Sequence, residues 1–278
     1  FAVRFPSALF GSLTVLVFYF FTKTILQKKS ETKEKDILWK NRISNIALLS
    51  TIVLAITPWH FHFSRVGFES NFALFWEILG AWLFLVYLKQ KNHVKYLLLS
   101  VVAFSIALYS YANARLFIAL LLLGYGVYYY KQIKVNLKAF AVAGIFGLIL
   151  SSFLVIQIFE GTGLARFEAT SIASRPEIYL QNDQSAKQDF DAGLGRFSSL
   201  MHNFRIPLFQ NILSNYFVHY SYGFLFLKAD LPRHQIPGFG LLYSWQLPLI
   251  FLGAVFLIKN RENLQAFPVL FWLFIAPI

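Results

Sequence analysis

The chain has 278 residues, of which 57% are hydrophobic and only 14% charged. A soluble domain carries about a quarter charged residues, so lipid rather than water is the expected solvent for most of this chain. There is no cysteine, which excludes disulfides, thiolate metal sites and cysteine nucleophiles and leaves the redox compartment open.

The first residues, Phe1-Ala-Val-Arg-Phe-Pro6, form neither an initiator methionine nor a signal peptide with a basic n-region and cleavage site. The last, Phe274-Ile-Ala-Pro-Ile278, stop within or beside an apolar segment. The chain therefore reads as an internal piece of a longer protein. Between these ends, eight apolar segments approach the ~20 residues that an α-helix needs to cross the hydrocarbon core. They cover 5–26, 43–57, 72–88, 96–111, 116–130, 139–159, 241–258 and 264–278. The fold class expected is all-α, a polytopic transmembrane bundle. Its three regions are 1–159 with six spans, a long extracytoplasmic loop at 160–240, and 241–278 with two more.

Basic residues set the orientation, because Lys and Arg stay on the cytoplasmic side. Lys23 through Arg42 holds seven, Lys89 to Lys95 three, Lys131 to Lys138 three, and Lys259 with Arg261 two. These four connections alternate with ones holding only Arg4, Arg65 and Arg115. The long loop carries seven more, but a loop of that length translocates regardless of its charge. The net charge of +12 is accounted for by topology, so no nucleic acid is expected. The mixed run Lys28-Lys-Ser-Glu-Thr-Lys-Glu-Lys-Asp36 reads as a solvated cytoplasmic linker near anionic lipid.

Polar chemistry gathers in the opposite, noncytoplasmic connections. The first, Thr57-Pro-Trp-His-Phe-His-Phe-Ser-Arg-Val-Gly-Phe-Glu-Ser-Asn71, packs His60, His62, Arg65 and Glu69 into a short link. Pro58 stops the incoming helix, Gly67 permits a turn and Trp59 suits the interface. Arg65 with the histidines fits a phosphate or pyrophosphate, while Glu69 could orient a sugar hydroxyl or a proton in transit. Interface anchoring with an internal Arg65 to Glu69 ion pair is the plain alternative. In an extended link, His60 and His62 point to opposite faces, so no metal is assigned.

Glu77, inside the third segment, must look inward; it either lines a cavity or bonds a neighbouring helix, the second being the commoner use. Tyr109-Ser-Tyr-Ala-Asn-Ala-Arg115 offers Arg115 as a second phosphate candidate, or as a residue snorkelling to the interface. In the long loop, residues 161–195 read as polar and irregular. From Arg196 onward, Phe197, Leu200, Met201, Phe204 and Leu208 suggest a helix lying on the membrane, interrupted near Pro207. Lys228, Asp230, Arg233 and His234 then cluster amid aromatic residues, as a sugar phosphate would need, or as the surface charges of a folded lid. No phosphate-binding glycine loop, dinucleotide fingerprint, HExxH or GxSxG occurs.

Four of these stretches together resemble glycosyltransferase family 39, the protein mannosyltransferase and aminoarabinose transferase group of the GT-C membrane superfamily. They are Arg4-Phe-Pro-Ser-Ala-Leu-Phe-Gly-Ser-Leu13, Pro58 through Glu69, Tyr109 through Arg115, and Phe224-Leu-Phe-Leu-Lys-Ala-Asp-Leu-Pro-Arg-His234 with Gly238-Phe-Gly-Leu-Leu-Tyr243. The resemblance implies inverting transfer of a sugar from a polyprenyl-phosphate donor to a protein or lipid acceptor on the noncytoplasmic face of a cell-envelope membrane. It implies no cofactor beyond that lipid-linked donor and leaves a divalent metal open. By motif, Arg4 and Glu69 match the family's functional arginine and external glutamate. Arg65 and Arg115 match phosphate neighbours, and Lys228 to His234 a loop element near the donor. The family's main catalytic acid precedes the Arg-Phe-Pro-Ser element, hence Phe1, so this piece is expected to be inactive alone. An O-antigen ligase or polymerase type protein is the alternative, with its key arginines and histidine in the large loop. A transporter would need inverted repeats and broken helices at mid-membrane, and neither is read here.

Overall fold

The computed structural model describes residues 2, 4–27, 33–90, 93–160, 176–194, 205–228, 234–259 and 266–277. Every regular element among them is helical. In order these are α1 (Phe5–Leu26), α2 (Lys33–Ile56), α3 (Pro58–Arg65), α4 (Glu69–Lys89), α5 (Val94–Ser110), α6 (Ala112–Tyr128), α7 (Tyr130–Val135), α8 (Leu137–Phe159), α9 (Pro176–Asp189), α10 (Arg205–Val218), α11 (Gln246–Lys259) and α12 (Ala266–Ile275). Two π-helical turns, Phe190–Leu194 and Gly223–Lys228, complete the set. Each of the eight apolar segments falls on a helix. By length and composition, α1, α4 and α8 suffice to cross a membrane, and α2 with α3 adds a fourth if that bent pair is one span.

Two compact units make up the chain, 1–154 with 222–278 and, separately, 155–221. In the first, the core runs between α1, α4, α5 and α6. Ala73, Gly80, Ala81, Ala103 and Ala107 are buried there, and small residues let helix backbones approach in a medium that offers no hydrophobic drive between helices. At Gly80 the Phe104 ring fills the space a side chain would occupy, and Ser100 Oγ donates to the Gly80 carbonyl at 2.7 Å. Phe84 stacks on Tyr125 at 5.2 Å and carries the packing on to α6. Several serine and threonine hydroxyls inside the apolar helices donate to the carbonyl four residues back, as at Thr14 and Thr51. Outward faces are apolar too: on α8, Leu148, Ile149 and Phe153 are exposed, the pattern of a helix whose surroundings are lipid.

Several sequence expectations change here. Residues 33–36 of the supposed linker already belong to α2. The connection after α2 is not extended: Pro58 ends α2 by lacking an N–H and starts α3 by presetting a helical φ, with Thr57 held extended between them. The two helix axes bend by 58° at this point. Gly67, at φ 70°, makes the turn into α4.

In the second unit, residues 176–189 are helical rather than irregular, since Pro176 opens α9 and Lys187 sits in its last turn. Pro207 lies in the first turn of α10, where no intrahelical donor is lost; the residues before Arg205, on which the expected interruption rests, lie outside the described residues. Phe209, Leu213 and Phe217 form an exposed apolar face on α10. Phe197, Leu200, Met201 and Phe204 lie outside the described residues.

Candidate functional site

The polar residues of the connection between α2 and α4 are positioned by a hydrogen-bonded joint between α1, α3 and α4. Asn71, buried in the first turn of α4, donates through Nδ2 to the Ser7 carbonyl at 2.8 Å. Ser7 Oγ in turn donates to the Phe63 carbonyl at 2.8 Å, tying α1 to α3. Gly11 makes this approach possible: a Cβ there would stand 2.7 Å from Ser64 Cβ and 3.2 Å from Asn71 Nδ2. The joint is closed from the other side by Gln246 of α11, whose Nε2 donates to Thr57 Oγ1 at 3.0 Å, while its Oε1 accepts from the Tyr243 N–H.

Four of the sequence-derived site residues meet above this joint. Arg4, His62 and Arg65 line one cavity of about 260 Å³, together with Phe61, Val66 and Ile236. Arg4 and Arg65 also border a neighbouring groove of about 610 Å³ with Phe5, Ala8 and Ser64. Both arginines are exposed, and the Arg65 guanidinium lies over the Phe61 ring at 5.3 Å. His234 arrives from a segment far along the chain and packs on Phe68 at 5.7 Å and Phe63 at 6.5 Å, with His62 on the Phe68 ring at 6.5 Å. Two cationic forks, two imidazoles and an aromatic base therefore share one rim, a composition suited to a bidentately held phosphate beside a sugar ring.

His60 belongs to the support rather than the rim. It is 3% exposed and hydrogen bonds the Gly11 backbone, while its Nδ1 has no partner. Burial pushes its pKa below the ordinary 6.5, and the Gly11 bond partly offsets that shift. The helical path of α3 separates His60 from His62 by about 200°, so the two rings diverge for a reason other than the extended link first supposed. Glu69 is exposed on the first residue of α4, where the helix dipole favours a carboxylate. Glu77 is buried on the same helix and lines neither the cavity nor the groove.

Of the remaining candidates, Arg115 and Lys228 do not join this cluster. Arg115 turns back to the end of α5, its Nε donating to the Leu108 carbonyl at 3.4 Å. Lys228 is exposed at the end of its π-helical turn and lines neither space. Asp230 and Arg233 lie outside the described residues.

Sequence reasoning did not single out Ser7, Gly11, Asn71 or Gln246. The signal was present as polar or small residues inside or beside apolar helices. It also missed a larger apolar cavity of about 740 Å³, lined among others by Thr14, Phe21, Leu74, Gly253, Phe256 and Trp272. From residue 8 to residue 14 of α1 is about 9 Å along the axis, so the basic groove and the apolar cavity follow one another along adjacent faces of one helix. Comparison with protein-family models, with curated proteins and with solved structures finds no significant match.

Proposed function

We propose that this protein is a membrane glycosyltransferase of the GT-C type, which moves a sugar from a polyprenyl-phosphate donor to a protein or lipid acceptor on the noncytoplasmic face. The observation that carries the reading is the meeting of Arg4, His62 and Arg65 at one cavity, a short way along α1 from a larger apolar cavity. An amphiphile with an anionic head and a hydrocarbon tail matches that sequence of environments. Lys23 and Lys89 end α1 and α4 at the opposite pole, which supports assigning the arginine rim to the side away from the cytoplasm.

In the proposed reaction an acceptor nucleophile attacks the anomeric carbon opposite the phosphate. The carbon–oxygen bond to phosphate breaks, and polyprenyl phosphate leaves with the electron pair. Arg4 and Arg65 stabilise the charge growing on the departing phosphate oxygens, an interaction stronger in the transition state than in the bound donor. Glu69 orients a donor hydroxyl or takes the acceptor proton, and His62 and His234 border the sugar.

The test is to incubate membranes holding the protein expressed from its intact gene with labelled polyprenyl-phosphate sugars, scoring loss of donor and gain of labelled product. The reading expects transfer that falls at least about a hundredfold in Arg65→Ala, the scale of removing one charge-stabilising donor. Transfer that survives in both Arg4→Ala and Glu69→Ala would favour the ligase or polymerase reading instead. Uptake of solute without transfer would favour a transporter.

A further inference from the structure

At the pole of α1 and α4 remote from the arginines lies a separate cavity of about 350 Å³, lined by Lys23, Thr24, Gln27, Trp82, Lys89 and Tyr96 among others. Part of its chemistry is structural. Lys89 donates to the Thr24 carbonyl and, at 3.4 Å, to that of Gln27, closing carbonyls that the end of α1 leaves open. That role offsets the negative end of the α1 dipole but leaves unexplained Lys23, the other cation of the lining, and Lys95, which lies outside the lining but beside its Tyr96. Lys23 sits over the Tyr19 ring at 5.5 Å, and Lys95 over the ring of Tyr96 at 5.1 Å. Among the described residues, no carboxylate is paired with Lys23, Lys89 or Lys95. The N-terminus of α5, next to Tyr96, has no side-chain cap.

The wall of this cavity is amphipathic. Trp82 Nε1 donates to Thr24 Oγ1 at 3.1 Å while its ring stacks on Phe20 at 5.5 Å, the arrangement expected of a ring at the headgroup level. Leu9, Leu16 and Phe20 are exposed and recur on the face of α1 that also carries Lys23. An apolar ladder therefore descends from the basic opening along the outside of the helix.

We propose that this cavity binds the phosphodiester headgroup of an anionic phospholipid, whose acyl chain lies along Leu16 and Leu9. Lys23 and Lys95 meet the phosphate oxygens, Lys89 neutralises the helix end beneath them, and Trp82 and Tyr96 border the glycerol. A free phosphate shares the anion chemistry but has no use for the ladder. The site is independent of the transfer reaction and stands or falls separately from it.

Native mass spectrometry of the whole chain, released from nanodiscs of equimolar phosphatidylglycerol and phosphatidylcholine, tests the proposal. Phosphatidylglycerol is expected to be retained over phosphatidylcholine, about fivefold less in Lys23→Gln, the factor for one lysine at an anionic surface. Lys23→Arg restores retention, and Lys131→Gln, an exposed lysine of α7, leaves it unchanged. Should Lys23→Gln fail to fold, Lys95→Gln, on an exposed residue, carries the same expectation. Equal retention of the two lipids, or no effect of either glutamine variant, overturns the site. Displacement of the lipid by millimolar inorganic phosphate overturns it as well, by showing a free-anion site.

Discussion

Replacing Gly11 by alanine tests whether α1 and α3 touch as closely as the site requires. The new Cβ would stand 2.7 Å from Ser64 Cβ, where carbon atoms rest at about 3.5–4.0 Å, so the helices must part by roughly 1 Å. Overpacking of this kind costs about 1–3 kcal/mol, against which exchanging a helical glycine for alanine returns close to 1 kcal/mol. The net loss expected is about 0–2 kcal/mol, read as a shift in the unfolding midpoint of the chain in mixed micelles. Ser64→Gly removes the obstructing atoms, so the double variant should recover most of the overpacking, with a coupling of about 1–2 kcal/mol. Ser64 directly precedes Arg65, so the same displacement moves the guanidinium relative to Arg4 and should weaken donor binding in the single variant. A coupling below about 0.5 kcal/mol would refute the close approach, because residues out of contact behave additively.

Other consequences follow from the same geometry. Gly253 lines the apolar cavity and a Cβ there meets open space, so Gly253→Leu should fill the cavity without loss of fold. Its KM should rise for long-chain donors and stay unchanged for short-chain ones, and equal KM values for both would remove the cavity from the donor path. Arg65→Lys keeps the charge but loses the fork, so donor binding should weaken about tenfold or more while folding stays unaltered, measured by equilibrium binding of a labelled donor. Burial favours neutral His60, so its folded pKa lies below 6.5 and the unfolded state binds more protons as acid is added. Stability should therefore fall as pH drops through and below about 6.5, and the unfolding midpoint of His60→Asn should vary less over that window. Identical pH profiles would show that His60 is not the group responsible.

The helices were legible because runs of apolar residues leave few alternatives, and each apolar segment found its helix. Their joints were less so. Pro58 announced the end of α2 but also the start of α3, because the feature that terminates one helix suits the first turn of the next. Arg4, His62, Arg65 and His234 were readable as candidates from their concentration of charge and aromatic rings. That they share a rim was not, since it depends on Ser7 and Asn71, whose hydrogen bonds join positions far apart in the chain. The apolar cavity leaves no sequence signal at all: Leu74 and Phe256 read alike whether they face lipid, a neighbouring helix or an internal space.

The account depends most on the arginine rim and the lysine-rich pole lying in different compartments. With no native cysteine in the chain, single cysteines at Arg65, Glu69 and Lys35 can each be labelled in sealed, oriented vesicles with a membrane-impermeant maleimide. The account predicts that Arg65→Cys and Glu69→Cys react from the noncytoplasmic side alone and Lys35→Cys from the cytoplasmic side alone. Labelling of all three from the same side would contradict it.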